Sequence, residues 1–92
     1  MLTLKSHQLE TWLEQHWSNF IRTGRGDIAI SHIDWCNATL GRSAVDPNYS
    51  FVEVNFYPER RWCYTVGYGK PHLLFWFRDA QDAVLFKLRW AS

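Results

Sequence analysis

No apolar run in this chain is long enough to span a bilayer, since a spanning helix takes about 20 consecutive apolar residues. The first residues, Met1-Leu2-Thr3-Leu4-Lys5, carry no hydrophobic segment of the secretory kind. These absences lead us to expect a soluble, cytoplasmic protein with no membrane partner. Cysteine is scarce. Cys36 and Cys63 do not make a disulfide framework, and in a reducing compartment both are expected as free thiols. Charge of one sign is lacking too. Residues 1–46 stand at −1 and residues 47–92 at +2, for a net charge of +1. Without a basic tail or stripe, binding to nucleic acid driven by counterion release has little to draw on. Repeats, linkers and low-complexity segments are missing as well, so the 92 residues read as one compact domain, 1–92.

What the chain has in excess is aromatic residues, at 17% and with six Trp. A chain of this length buries somewhat over 60% of its unfolded surface. Trp is large and carries an N–H that needs a partner, so it is rarely wholly buried. Some of these rings are therefore expected at a surface that binds something.

The hydrophobic pattern predicts an α+β domain. Leu9, Trp12, Leu13, His16, Trp17, Phe20 and Ile21 recur at helical spacing, predicting an amphipathic helix over 5–22 with Ser6 as its N-cap and Gly24 ending it. Residues 27–30 are ambiguous between strand and helix, and 31–41 predicts a short second helix from Ser31 to Gly41. Alternation over 49–57 and 61–68, with a segment apolar on both faces at 73–78, predicts a three-stranded antiparallel meander. Asp79 then caps a terminal helix, with Asp82 in its first turn and Lys87 and Arg89 near its end, as the helix dipole favours. Trp12, Trp17 and Phe20 are expected to anchor the first helix to the core.

Few motifs carry chemistry. His32 and Cys36 lie at i, i+4, and Cys63 or His72 is available to complete a set. No C-x-x-C or H-x-x-x-H accompanies them, so neither a metal nor any other cofactor is expected. A Cys nucleophile needs an accessible, activated position, and Cys63 sits mid-strand among aromatics. His16 on the apolar stripe reads as a core-edge residue with one hydrogen-bond partner rather than a base. Arg25-Gly26-Asp27 reads as a turn, and Gly67-Tyr68-Gly69-Lys70, followed by Pro71 and a strand, is not a phosphate loop. The remaining group is Trp62, Tyr64 and Tyr68 with Arg60, Arg61 and Arg78. Aromatics alternating beside arginines can stack bases; the same pattern packs a sheet beneath a helix such as 9–21, which we favour.

The tail Phe75-x-Phe77-x-Asp79-x-x-Asp82-Ala83-x-x-Phe86-Lys87-Leu88-x-Trp90 resembles the endings of small accessory proteins of tailed bacteriophages. The resemblance covers under a quarter of the chain and implies a short phage protein acting in the cytoplasm of a host cell. It implies no catalytic residue.

These readings converge on a non-enzymatic protein-binding module, a modulator or inhibitor of a host protein. Trp62, Tyr64, Tyr68, Arg60, Arg61, Phe86 and Trp90 are the candidate contact residues, because Trp, Tyr and Arg dominate interface hot spots. The alternative is a single-stranded nucleic-acid binder using the 61–68 strand. A third reading is a small-molecule binder or enzyme with a pocket at His32 and Cys36. The terminal helix is apolar nearly all round, which further predicts a homodimer with Phe86 and Trp90 at its interface.

Overall fold

In the computed structural model the described residues are 1–17, 19–23, 26–45, 53–66 and 73–90. They form an α+β arrangement in the order β1 (Leu2–Lys5), α1 (Ser6–His16), β2 (Asn19–Thr23), α2 (Gly26–Leu40), β3 (Glu53–Phe56), β4 (Trp62–Val66), β5 (Leu73–Phe77) and α3 (Ala80–Trp90). No helix among them is long and apolar enough to cross a membrane.

β5 lies at the centre. It pairs antiparallel with β4 on one edge, Cys63 opposite Trp76 and Tyr64 opposite Phe75. It pairs antiparallel with β2 on the other, Phe20 opposite Trp76 and Ile21 opposite Phe75. β3 instead pairs with β1, Leu4 opposite Val54. The expected meander is thus corrected to a three-stranded sheet of order β2-β5-β4 and a separate ladder of β1 and β3. Residues 44 and 45 join the two. Ala44 donates its N–H to the Trp62 carbonyl at 2.7 Å and accepts from the Tyr57 N–H at 2.7 Å, and Val45 bridges to Phe56.

The side-chain period of two sends alternate residues of the central sheet to opposite faces. One face meets α1 and the small ladder through Leu9, Leu13, Trp17, Val54, Phe56, Cys63 and Trp76. The other meets α2 and α3 through Cys36, Leu40, Trp62, Phe75, Phe77 and Phe86. Each face of β5 is buried, which explains its unbroken apolar sequence.

The expected helix 5–22 is shorter than its periodicity suggested. α1 stops at His16, and the N–H of Trp17 closes it on the Leu13 carbonyl at 2.6 Å. The following Asn-Phe-Ile-Arg-Thr is β2; its β-branched and aromatic residues fit a pleated surface, and β5 needed a second neighbour. Lys5 rather than Ser6 is the cap residue, its N–H donating to Gln8 Oε1 at 3.1 Å. This is the reach-back half of a capping box. The ambiguous 27–30 is helical and belongs to α2. The parts of the expected strands at 49–52 and 67–68, and Gly24 with its turn, lie outside the described residues. His16 is exposed, stacks on Trp12 at 4.3 Å and donates Nδ1–H to the Trp12 carbonyl at 2.9 Å, with the tautomer assigned from that acceptor.

Candidate protein-docking surface

The residues singled out from sequence fall into three environments. Trp62 is wholly buried, its indole Nε1–H donating to the Gly41 carbonyl at 2.7 Å. Gly41, at φ 90, takes the left-handed conformation that ends α2 where glycine is favoured, and its carbonyl meets that indole. Tyr64 is half-buried and packs against Trp62 and Phe75 with ring centroids 6.2 and 6.1 Å away. Phe86 is buried against Phe75 and Phe77 at 5.0 and 5.3 Å. Trp62 and Phe86 are therefore corrected from contact residues to core residues. The sheet face that carries them is packed beneath helices, but these are α2 and α3 rather than the first helix, which lies on the opposite face. Tyr68 lies outside the described residues.

The arginines are engaged rather than spread along a groove. Arg61 grips Asp82 with two parallel hydrogen bonds, Nη2 to Oδ1 at 2.7 Å and Nε to Oδ2 at 3.0 Å. This bond to the carboxylate raises the pKa of Arg61 further. Arg60 donates to the Ser43 carbonyl at 3.1 Å and lies 3.9 Å over the Tyr57 ring. Arg78 donates to the Glu59 carbonyl and pairs with Asp79 at 3.2 Å. Together they tie the turn between β3 and β4 to the start of α3. Sequence showed the arginines but not the acceptors, which are the Asp82 and Asp79 carboxylates and the Ser43 and Glu59 carbonyls.

The thiols are brought apart, not together. Cys36 lies in the core on the α2 side of the sheet and Cys63 in the core on the other side. Burial pushes Cys36 up to about 12 and Cys63 higher still, so neither supplies a thiolate near neutral pH. His72 lies outside the described residues. The region of His32 and Cys36 is packed core. An open groove of about 320 Å³ lies instead beside α1 and β1, lined by Leu4, His7, Gln8, Thr11, Trp12 and Gln15.

Among the described residues, an exposed apolar stripe lies on α3. Its inward face is Asp82, Ala83 and Phe86. Its outward face carries Val84, Leu85 and Leu88, exposed to 52%, 44% and 71%. At 100° per residue these three and Gln81 form one stripe, with exposed Lys87 on one side and Arg89 on the other. Within one chain the central sheet and α2 cover the inward half of the helix and leave an apolar stripe on its outward half. The helix lies where its sequence predicts, but Phe86 is on its inward face.

Trp90, at the end of α3, is half-buried. The Arg89 guanidinium lies 4.4 Å over its ring. Its indole Nε1 is buried with no hydrogen-bond partner among the described residues, and so is Nδ1 of His32. The two rings meet edge to face, 4.2 Å apart at 77°.

Comparison with protein-family models, curated proteins and solved structures gives no match for this chain.

Proposed function

We propose that the chain is a non-enzymatic protein-binding module that docks through the outward face of α3. The observation that carries this reading is the exposed Val84, Leu85 and Leu88 stripe between Lys87 and Arg89. An amphipathic helix with i, i+4 anchors lays such a face into an apolar groove. Cations on both flanks favour a groove with an acidic rim. The occupant is therefore another protein presenting apolar side chains between carboxylates. The phage-like tail makes a host protein its natural source, and binding there would modulate or inhibit that protein. The buried, raised thiols give no support to a Cys-based reaction.

The nucleic-acid alternative has less support. It needs Trp62 and Tyr64 free to stack, and one is buried and the other packed on Phe75. The dimer reading keeps its rationale only if its interface shifts from Phe86 to Leu85 and Leu88.

Immobilised wild-type protein and Leu88→Glu protein, each exposed to bacterial lysate, test the proposal. A protein retained by the wild type should be lost on Leu88→Glu and held several-fold more weakly by Lys87→Glu or Arg89→Glu. Leu88 is largely exposed, so the substitution should leave the fold intact, which circular dichroism checks. Retention that is indifferent to all three substitutions would overturn the proposal. A dimer mass in light scattering that Leu88→Glu reduces to a monomer mass would make a second copy the occupant and refute the acidic partner.

A further inference from the structure

We propose that His32 and Trp90 form a pH-sensitive latch: the neutral imidazole holds the last turn of α3 against α2, and protonation releases it. The inference rests on the docking reading above and adds its regulation, because the released turn carries Leu88, Lys87 and Arg89.

The latch is built from burial. His32 is 5% exposed. Its ring meets Trp90 at 4.2 Å, Phe86 at 5.3 Å and Phe75 at 5.9 Å. None of these side chains contains a hydrogen-bond acceptor, and the polar atom of Trp90 is a donor. A neutral imidazole keeps one acceptor nitrogen and tolerates such company. An imidazolium has two donors and finds no acceptor in any of these rings.

The charged and titratable groups around the ring do not relieve this. β5, which supplies Phe75, has none between Leu73 and Phe77. On α3, the Asp82 carboxylate is occupied by Arg61, Lys87 is exposed, and the Arg89 guanidinium lies over Trp90 as a like charge. On α2 itself Asp34 is exposed and Cys36 is a buried neutral thiol. Tyr64 of β4 packs on Phe75. Cation–π attraction from the three rings favours the imidazolium. At Trp90 it is already drawn on by Arg89, and the loss of hydration by so buried a ring outweighs it. Burial holds His32 below its ordinary value of 6.5.

The element that yields is the last turn of α3. Residues 87, 88 and 89 are exposed, and half-buried Trp90 is the residue of that turn that packs against the core. α2 is held by His32, Cys36 and Leu40 along three turns. The released form binds the proton more readily than the latched form, so acidification drives release, and raising the pH through 6.5 restores the latch.

NMR titration of the His32 ring in the free wild-type protein, with amide exchange at 87–90, is the test. His32 should titrate below 6.5. Protection at 87–90 should fall on the order of tenfold between about pH 7.5 and about pH 5, while 82–86 holds. His32→Leu keeps the packing and removes the proton, so its protection should not change with pH. A His32 that titrates at or above 6.5, or protection at 87–90 that ignores pH, overturns the latch. These wild-type readings stand even if the variant fails to fold. They need no partner, so they can fail while the Leu88→Glu test succeeds, and the reverse.

Discussion

Replacing Arg61 with alanine leaves the Asp82 carboxylate at 1% exposure with neither of its arginine hydrogen bonds, although Arg61 itself is 41% exposed. The asymmetry in burial sets the energetics. Removing one partner of a buried pair costs about 3–5 kcal/mol because the other charge stays uncompensated. Here water can enter where the guanidinium was, so we take about 2–3 kcal/mol. Replacing Asp82 instead frees an arginine that turns to solvent and solvates itself. The loss is then the net value of the pair and of a carboxylate in the first helical turn, about 1–1.5 kcal/mol. The double replacement removes both charges and should sit close to Asp82→Ala alone, giving a coupling of about 2–3 kcal/mol. For a domain of this size each kcal/mol lowers Tm by about 4–8 °C. Thermal melts followed by circular dichroism should therefore show Arg61→Ala falling by about 10–20 °C and Asp82→Ala by about half of that. The more exposed residue is expected to matter more. If Asp82→Ala melts as low as Arg61→Ala or lower, the bond is not relieving a buried charge and the reasoning fails.

Trp17, buried against Phe56 at 5.4 Å, should cost about 3–5 kcal/mol as Trp17→Ala in urea denaturation, a large share of the total; a loss under about 1 kcal/mol would mean its ring is not in the core. Thr65→Val removes the acceptor that Trp76 Nε1–H uses at 2.9 Å inside the core and should cost about 1–3 kcal/mol, since the volume is kept and the donor is stranded. Cys36 and Cys63 should resist an aromatic disulfide reagent in the native protein near about pH 8 and react only on denaturation; rapid labelling of either would contradict its burial.

The fold was legible where one constraint dominated. Leu73–Phe77, apolar on both faces, announces a strand with a layer on each side and a neighbour on each edge. A meander of successive strands would have left that segment at an edge, and its sequence argued against that order. The second neighbour was hidden because Trp17, Phe20 and Ile21 continue the helical spacing of Leu9 and Leu13. A helix phase and a short strand can share residues such as Phe20 and Ile21. Only the demand of β5 for a partner separates them: in β2, Ile21 joins the α2 side of the sheet while Phe20, on the opposite face, lies 5.0 Å from Trp76 and stays 49% exposed. β1 gives just four alternating residues, too few for a period to register, and it exists because β3 covers it.

The candidate site was harder to read for a different reason. Composition counts aromatic residues but not the directions in which they point. An excess of Trp suggested rings at a surface, yet Trp62 and Trp76 are deep, each with its N–H satisfied by one acceptor, the Gly41 carbonyl and the Thr65 hydroxyl. Those two acceptors let the core take rings that would otherwise have been held near water. The apolar stripe on α3 is aliphatic and lies on the helix whose sequence looked apolar all round. Its burial pattern resolves the apparent excess: Asp82, an acid, occupies the inward face because Arg61 reaches it, and that displaces Leu85 and Leu88 outward. One helical phase thus fixes both features. Turning α3 by a single residue would bury Leu85 and strip Asp82 of its arginine. The ion pair that stabilises the helix is in this sense what sets its apolar stripe facing away from the core.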